Sequence, residues 1–564
     1  MKLLNKFFIP LMAAGILASC SSENFDSPVL PENGAQDGVN MKIAISLPTS
    51  DGTRAAGDYV GEEVGQNFEN NVKEVLVVLA HRDNYDFIAQ SVSTIATDEQ
   101  QKSPIVSTST FNKSVLVNYI NSLGEVPDQA SVNVFVFCNP TEDLKKAMAS
   151  HTRGDKASSW MDEVYILSED NLEYKNVSEG MNIPMANEKN TTLSLPQKSK
   201  IENGDYAVNA FDLGTIPVIR SIARFDFKNT IKDGKYPIDI TVSGDNSDNL
   251  VSNGLEIQLT HMALVNLSKS FYYLHRTLDK NDTTNYAGTD SRDSYIVDAD
   301  WEWKKTNDWE ATTDFSGNFE YPLYKKGSLD VNEWNRIEIT DDLNGDDNED
   351  KWNTGNADEG YKIWRYVTEN TIPGAAQAQK TGISTGVVFR GIMNVTDNTP
   401  ETIREAMENY EDIYVYNSTT IFGNWDAVKA WANKEGNENL SVTAAYKASI
   451  GVDGNVDEKK AVENGFTIYR YDAEHGGYCT LYYYWNRHWD NGNNGVMAPM
   501  EFAVVRNNVY KLAVESISAL GHPRNPGDDP DPVDPDDPDE KGDVKLKMSV
   551  QVLNWTVRKN NIQF

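Results

Sequence analysis

The last 21 residues of the chain, an alternating segment behind a long acidic connection, constrain the fold more than any other stretch. Residues 544–564 have the sequence VKLKMSVQVLNWTVRKNNIQF. Four apolar side chains alternate with polar ones, a spacing that places them on one face of a β-strand. They are Leu546, Met548, Val550 and Val552. The apolar phase then shifts, which indicates a bulge or a contact with the opposite face of a sheet. The residues of the shifted phase are Leu553, Trp555 and Val557.

The connection before this strand is long and resists folding. Residues 526–543 number eighteen, of which nine are acidic and five are prolines. Prolines and like charges keep such a segment extended, and at about 3.1 Å per residue it reaches on the order of 55 Å. A strand on this tether can pair with its own sheet or with the sheet of another subunit. The alternative is that the tail is simply the last strand of its own domain.

A second alternating segment lies near the start of the chain and ends at Pro48. Its four apolar side chains are those of Met41, Ile43, Ile45 and Leu47. Both segments present four such side chains over seven residues, so one can replace the other without a change of register. Their burial contributes roughly 6–12 kcal/mol before the cost of ordering the strand. The two segments could therefore fill the same groove of a sheet.

A single arginine, Arg54, follows the N-terminal strand in the sequence TSDGTRAAGDYVGE. Small and turn-forming residues surround it, which is typical of an exposed loop that proteases cut. Such an arginine is a good target for an Arg-specific protease, which would cut between Arg54 and Ala55. The simpler interpretation of this segment alone is an ordinary surface arginine.

The first twenty residues have the pattern of an export signal. Lys2 and Lys6 form a positively charged n-region, and residues 7–17 form an apolar core too short to span a bilayer comfortably. The segment ends in Leu-Ala-Ser-Cys at Cys20, which resembles a bacterial lipobox, whose cysteine is acylated and becomes the new N-terminus. We expect lipidation at Cys20 rather than an ordinary signal-peptide cut.

Composition limits the remaining possibilities. A chain of 564 residues has room for two to four domains, and a net charge of -34 argues against nucleic acid and anionic membrane surfaces as partners. The 26 tyrosines and 12 tryptophans favour β structure. Beyond Cys20, only Cys138 and Cys479 remain, and we expect two separate buried thiols.

Residues 59 onward have the pattern of strands separated by turns. Residues 72–80, 131–138, 477–485 and 504–520 are predicted as strands, and residues 141–150, 399–410 and 424–434 as helices. Thr141 is the expected N-cap of the first helix. The apolar pattern restarts after a domain boundary placed near Gly214, and residues 279–360 are predicted to be long surface loops.

Several apparent sites have weak support. Ser384 lies in a literal G-x-S-x-G, but a strand-like segment follows it where a nucleophile elbow needs a helix. Residues 342–353 have acidic spacing like that of a calcium loop but lack its glycine and terminal glutamate, so a solvated loop is expected. The histidines show no zinc-ligand spacing. Several tryptophans could stack on sugars, although tryptophans in β-rich chains more often pack between sheets. They are Trp301, Trp303, Trp309, Trp485 and Trp489. No catalytic residue, metal or cofactor is expected.

Several segments together carry a resemblance along the whole chain. They are the lipobox at Cys20, the apolar strand followed by Thr53-Arg54-Ala55, VIRSIARFDFKN, YYYWNRHW, VVRNNVYKLAVESISALG, the Asp/Pro linker and MSVQVLNWTV. With these features the chain resembles the fimbrillin shaft subunits of type V pili, nearest the minor-fimbrial type. The middle third resembles them only loosely, whereas VVRNNVYKL with the linker and terminal strand is quite specific.

This resemblance implies a mainly all-β fold with two transthyretin-like β-sandwich domains, a few short helices and a C-terminal donor strand. It implies a lipoprotein precursor carried to the outer membrane, proteolytic loss of the first strand, and polymerisation of copies of the chain by strand exchange. Anchor and tip fimbrial subunits are the implied partners, and adhesion and biofilm formation the implied roles. The expected division of the chain is signal peptide 1–20, propeptide 21–54, N-terminal sandwich 55–214, C-terminal sandwich 215–522, linker 523–543 and donor strand 544–564.

Three alternatives stay open. A surface glycan-binding lipoprotein would keep Cys20 as its first residue and stay monomeric when made soluble. A secreted hydrolase would depend on one carboxylate or serine, and no candidate for it stands out. An anchor subunit should lack the processing arginine and a tip subunit a usable donor tail, whereas this chain has both.

Overall fold

The computed structural model describes residues 37–48, 61–100, 102–124, 129–166, 181–231, 234–243, 248–278, 284–286, 295–306, 317–321, 337–338, 360–372, 383–490, 492–493, 497–498, 500–523, 525 and 545–556. Within these residues the chain is mainly β, with several sheets and few helices, which confirms the predicted fold class. No helix in this described part is long and apolar enough to cross a membrane.

All but two of the strands up to residue 220 form one large sheet, and short helices lie between them in the chain. The strands are β1 (Gly38–Ser46), β2 (Glu62–Val64), β3 (Glu74–His81), β4 (Phe87–Thr94), β5 (Ile105–Asn112), β6 (Ser131–Cys138), β7 (Val164–Ile166), β8 (Met185–Asn187), β9 (Thr192–Ser194) and β10 (Phe211–Arg220). The helices are α1 (Lys113–Ser122), α2 (Glu142–Ser150), α3 (Ala157–Trp160) and α4 (Lys198–Asn203), with a 3-10 turn at Asn67–Asn70. The first sheet has the order β4-β3-β6-β8-β10-β1-β5, and β9 pairs with β6.

The central strands of this sheet are apolar on both faces because each face covers a core. Val77 of β3 packs in one core together with the residues of β1, and Val78 packs in another against Phe135 and α2. α2 begins as predicted, since the Thr141 hydroxyl accepts the backbone N–H of Leu144 at 3.2 Å.

The chain leaves the first sheet between β10 and β11 (Ala223–Asn229). The strand that contains Gly214 therefore lies wholly in the first sheet. Gly214 has a φ of +123°, at the point where the pairing of β10 with β1 skips one residue. Glycine is favoured at this bulge because a side chain with a Cβ rarely adopts that φ.

The elements after β11 build the second half. The strands are β12 (Lys235–Ser243), β13 (Asp248–Val265), β14 (Leu267–Ser268), β15 (Ser270–Tyr272), β16 (Arg276–Leu278), β17 (Thr284–Tyr286), β18 (Tyr295–Val297), β19 (Phe319–Glu320), β20 (Ile337–Glu338), β21 (Lys362–Val367), β22 (Gly386–Val395), β23 (Ile413–Tyr416), β24 (Thr420–Phe422), β25 (Phe466–Tyr469), β26 (Tyr471–Asp472), β27 (Gly477–Trp485), β28 (Asn508–Ile517), β29 (His522–Pro523) and β30 (Leu546–Thr556). The helices are α5 (Trp301–Thr306), α6 (Glu401–Glu408), α7 (Trp425–Ala432), α8 (Ser441–Ala448) and α9 (Glu458–Glu463).

Two sheets of the second half enclose a large apolar core. One has the order β2-β30-β28-β11-β21, and the other β25-β23-β24-β12-β13-β22-β27-β26, with β20 on β13 and β29 on β27. Phe227 of β11 and Leu512 of β28 meet Phe389 of β22 in this core. Helices α7 and α8 cover a smaller core beside β23 and β25. The predicted strands at 131–138 and 477–485 match β6 and β27, and the predicted helices near 399–410 and 424–434 contain α6 and α7.

Candidate functional site

The N-terminal strand β1 has a partner on each edge. It runs parallel to β10 over six Cα pairs and antiparallel to β5 over eight. It is therefore an inner strand, and its removal opens a gap between two ladders rather than shortening the sheet at its edge. Both neighbours would then show unpaired backbone N–H and C=O groups.

The apolar side chains that β1 and the residue after it direct into the core are almost completely buried. The exposed fractions of Met41, Ile43 and Ile45 are 0%, and that of Leu47 is 2%. All four belong to the core of the first sheet. Full burial of such side chains contributes about 1.5–3 kcal/mol each, so β1 is a large part of what stabilises this half of the chain.

Polar contacts fix the register of β1 at both ends. The Asn40 amide donates to the carbonyl of Ala207 at 3.0 Å and accepts the Thr110 hydroxyl at 2.6 Å. At the other end the backbone N–H of Leu47 donates to the Ser103 hydroxyl at 3.3 Å. Cys20, Arg54 and Ala55 lie outside the described residues.

The C-terminal strand β30 is paired with its neighbours differently from β1. It lies antiparallel to β28 over nine Cα pairs, but its other edge meets only the three-residue strand β2. In the structure of this monomer the tail is thus a strand of the chain's own sheet. Among the described residues, the outer edge of β30 is paired only at Asn554, Trp555 and Thr556.

The core-facing side chains of β30 are also less buried than those of β1. Leu546 is 7% exposed, whereas Met548, Val550 and Val552 are half-buried at the margin of the large core. The next residue, Leu553, points to the opposite face and packs in a separate cluster. Of the other two residues of shifted phase, Trp555 lies in the strand and Val557 lies outside the described residues.

A buried charge cluster lies beside β30, and sequence reasoning did not find it. At its centre, Arg224 of β11 contacts the carboxylates of Asp226 at 2.7 Å and Glu69 at 3.1 Å. Glu63 of β2 contacts Arg224 at 3.3 Å and the ammonium of Lys511 in β28 at 2.7 Å. The signal that could have found the cluster is the presence of charged residues inside otherwise apolar strands.

Burial and ion pairing shift the pKa values of Arg224 and Asp226 in opposite directions. Burial disfavours the charge of Arg224, but Asp226 and Glu69 outweigh it and raise the Arg224 pKa. Burial raises the pKa of Asp226 to about 6, although the Arg224 guanidinium works to lower it. The nearby guanidinium of Arg220 has its pKa lowered to about 9 by burial.

The other sequence candidates have structural positions. Ser384 is 0% exposed just before β22, so its hydroxyl is not accessible to a substrate. Cys138 and Cys479 are buried free thiols, as predicted. Residues 342–353 and Trp309 lie outside the described residues, and the remaining four tryptophans pack in apolar clusters: Trp301, Trp303, Trp485 and Trp489.

One trio of potential metal ligands comes together although the sequence spacing did not suggest it. The ligand atoms of Asp472, His475 and Cys479 lie within 4.8 Å of one another. The Asp472 carboxylate accepts the backbone N–H groups of Glu474 and His475 and lies 2.6 Å from the His475 ring. Capping of the turn between β26 and β27 therefore accounts for these contacts.

Comparison with known proteins gives one family match. Residues 476–561, which contain β27, β28 and β30, match the family described as "Major fimbrial subunit protein type IV, Fimbrillin, C-terminal". No curated protein matches the chain. Among solved structures, a fimbrilin from Porphyromonas gingivalis W83 is 10% identical with a TM-score of 0.35, covering 93% of this chain and 99% of that one. The tip fimbrial protein Mfa3 from Porphyromonas gingivalis is 9% identical with a TM-score of 0.34, covering 92% of this chain and 100% of that one.

The family match spans the region that contains the candidate exchange strand and its partner β28. It does not distinguish among the kinds of fimbrial subunit. Because the structural scores are low, the match of residues 476–561 carries the assignment. Through this C-terminal region the chain is similar to the fimbrillin family, which agrees with the resemblance carried by its sequence segments.

Proposed function

We propose that the chain is a shaft subunit of a surface fimbria, assembled from copies of itself by donor-strand exchange. In this proposal β1 is removed, and the C-terminal strand of a neighbouring copy takes its place between β5 and β10. Strand addition of this kind supplies both main-chain hydrogen bonds and apolar side chains.

The difference between the two strands in backbone pairing and side-chain burial carries the proposal. β1 has a ladder on both edges and four core side chains that are 0–2% exposed, whereas β30 has one full ladder and three half-buried core side chains. Moving β30 into the vacated position adds a second ladder and completes the burial of its apolar face. Both gains favour the assembled state over the cut monomer.

The proposal includes processing that controls when assembly begins. The precursor is lipidated at Cys20, carried to the outer membrane and cut between Arg54 and Ala55 by an Arg-specific protease. Because β1 precedes Arg54 in the chain, the cut separates this strand from the rest. Before the cut the position is filled from within, so premature assembly is blocked. Anchor and tip subunits complete the fimbria, which serves adhesion and biofilm formation.

Three variants test the processing and assembly steps. Arg54→Ala should leave a membrane-bound precursor, and N-terminal sequencing of mature wild-type protein should begin at Ala55. Cys20→Ala should abolish labelling by a palmitate analogue. Truncation after Gly542 should give a folded protein that forms no fibres by electron microscopy after cleavage. Fibres formed by the truncated chain alone would contradict the donor-strand role, and mature protein that begins at Cys20 would favour the glycan-binding alternative.

A further inference from the structure

The segment of residues 61–71, called here the clamp segment, covers the outer edge of β30. Its strand β2 pairs with the last three residues of β30, and the backbone N–H of Asn554 donates to the carbonyl of Gly61 at 3.2 Å. A Cβ added at Gly61 would lie 3.4 Å from a methyl of Leu553, so little space separates the backbone of Gly61 from this side chain. The clamp segment thus holds the C-terminal third of β30 from the side opposite β28.

Glu63 connects the clamp segment to strands on the other side of β30. Its carboxylate lies 2.7 Å from the ammonium of Lys511 in β28 and 3.3 Å from the guanidinium of Arg224 in β11. Since β30 lies between β2 and β28 in the sheet, these ion pairs cross the width of β30. The C-terminal third of β30 is therefore enclosed by β28 at one edge, β2 at the other and the Glu63 ion pairs across one face.

A second buried carboxylate fixes the far end of the clamp segment. Glu69 is 0% exposed, contacts Arg224 at 3.1 Å and accepts the Tyr366 hydroxyl at 2.6 Å. The Glu69 backbone carbonyl accepts Nε of Arg220 at 3.4 Å. Detaching either end of the segment takes a buried carboxylate away from Arg224, and detaching the Glu63 end also takes one away from Lys511, which is unfavourable.

We propose that Glu63 is a positioning residue that holds β30 in its own sheet, and that donor-strand release requires its ion pairs with Lys511 and Arg224 to break. This proposal rests on the proposed function and adds the contact that controls it. The family match to residues 476–561 does not include Glu63.

Amide hydrogen exchange of the uncut, full-length chain tests the proposal without polymerisation. Glu63→Gln should speed exchange of the β30 amides by at least about tenfold and leave the β1 amides unchanged, because only local opening becomes easier. Glu62→Gln is the matched control, since Glu62 lies next to Glu63 in β2 but is exposed. Equal protection of β30 in both variants would overturn the proposal.

A double variant separates a positioning role from a merely structural one. Lys511→Gln combined with Glu63→Gln removes both charges of the pair, so overall stability in urea should recover relative to Glu63→Gln alone. The β30 amides should nevertheless stay fast, because the link from β2 across β30 is still missing. Return of β30 protection together with stability would show a structural role and overturn the proposal. Failure of the proposed function is a different result, namely fibres from the chain truncated after Gly542.

Discussion

Replacing Val550 with aspartate is expected to stop assembly while leaving the monomer folded. In its own sheet the Val550 side chain is half-buried opposite Leu512. The change therefore removes about half of the contribution of a fully buried valine, about 1 kcal/mol. An aspartate there retains contact with water, so the monomer loses little more.

The cost in the assembled state is larger. Between β5 and β10 the side chain would take a position like that of Ile45, which is 0% exposed. There the change loses the full contribution of about 1.5–3 kcal/mol and also places a carboxylate in an apolar core. The aspartate thus costs about 4 kcal/mol more in the assembled state than in the monomer, which weakens each junction between subunits by about a thousandfold.

The assay compares two measurements on matched variants. Urea denaturation of the uncut chain reports monomer stability, and electron microscopy with size-exclusion chromatography after cleavage reports assembly. Gln551→Asp is the control, because Gln551 is the exposed neighbour of Val550 on the same strand. If Val550→Asp forms fibres as readily as Gln551→Asp, Val550 does not enter a buried groove and the reasoning is refuted.

Three further outcomes are expected. Ile43→Ala should lower the stability of the uncut precursor by about 2–4 kcal/mol in urea, because Ile43 is 0% exposed. Polymers of the cut protein should resist denaturant as well as wild type does, since β1 is then absent. Weaker polymers would show that β1 is retained. Burial lowers the pKa of His488 from 6.5 to about 4, so the folded state binds fewer protons than the unfolded state between these values, and stability is lost as pH falls through this window. His488 accounts for about 2 kcal/mol of this loss of stability at pH 5. His488→Gln should therefore reduce the drop in melting temperature between pH 7 and pH 5. An unchanged drop would exclude His488 as its cause. Gly521→Ala should destabilise the chain by at least about 2 kcal/mol in urea, because a Cβ there would lie 2.2 Å from the carbonyl oxygen of Leu481; wild-type stability would show that the backbone shifts freely.

Much of the local structure could be predicted from the sequence because local patterns encode it. Alternation of apolar residues predicted the strands that became β1 and β30, and a continuous apolar run predicted β6. A hydroxyl side chain before a helical pattern predicted the Thr141 cap of α2. The strand expected after Ser384 in the G-x-S-x-G segment is confirmed, since Gly386–Val395 form β22.

The candidate site depended on pairings that no local pattern specifies. The periodicity of β1 predicts which side chains are buried, but not that the strand lies between β5 and β10 with ladders on both edges. Likewise, the alternation of β30 does not reveal that its core face is only half-buried in its own sheet. Glu63 looks like an ordinary exposed acid in the sequence, although it contacts Lys511 from the other end of the chain.

The class of fold and the alternating apolar pattern of β1 and β30 follow from residue order alone. How firmly each strand is held is a property of the folded chain, because it depends on neighbours brought together from distant parts of the sequence. Backbone periodicity is a local property fixed by residue order, whereas burial and ion pairing are sums over contacts that exist only after folding.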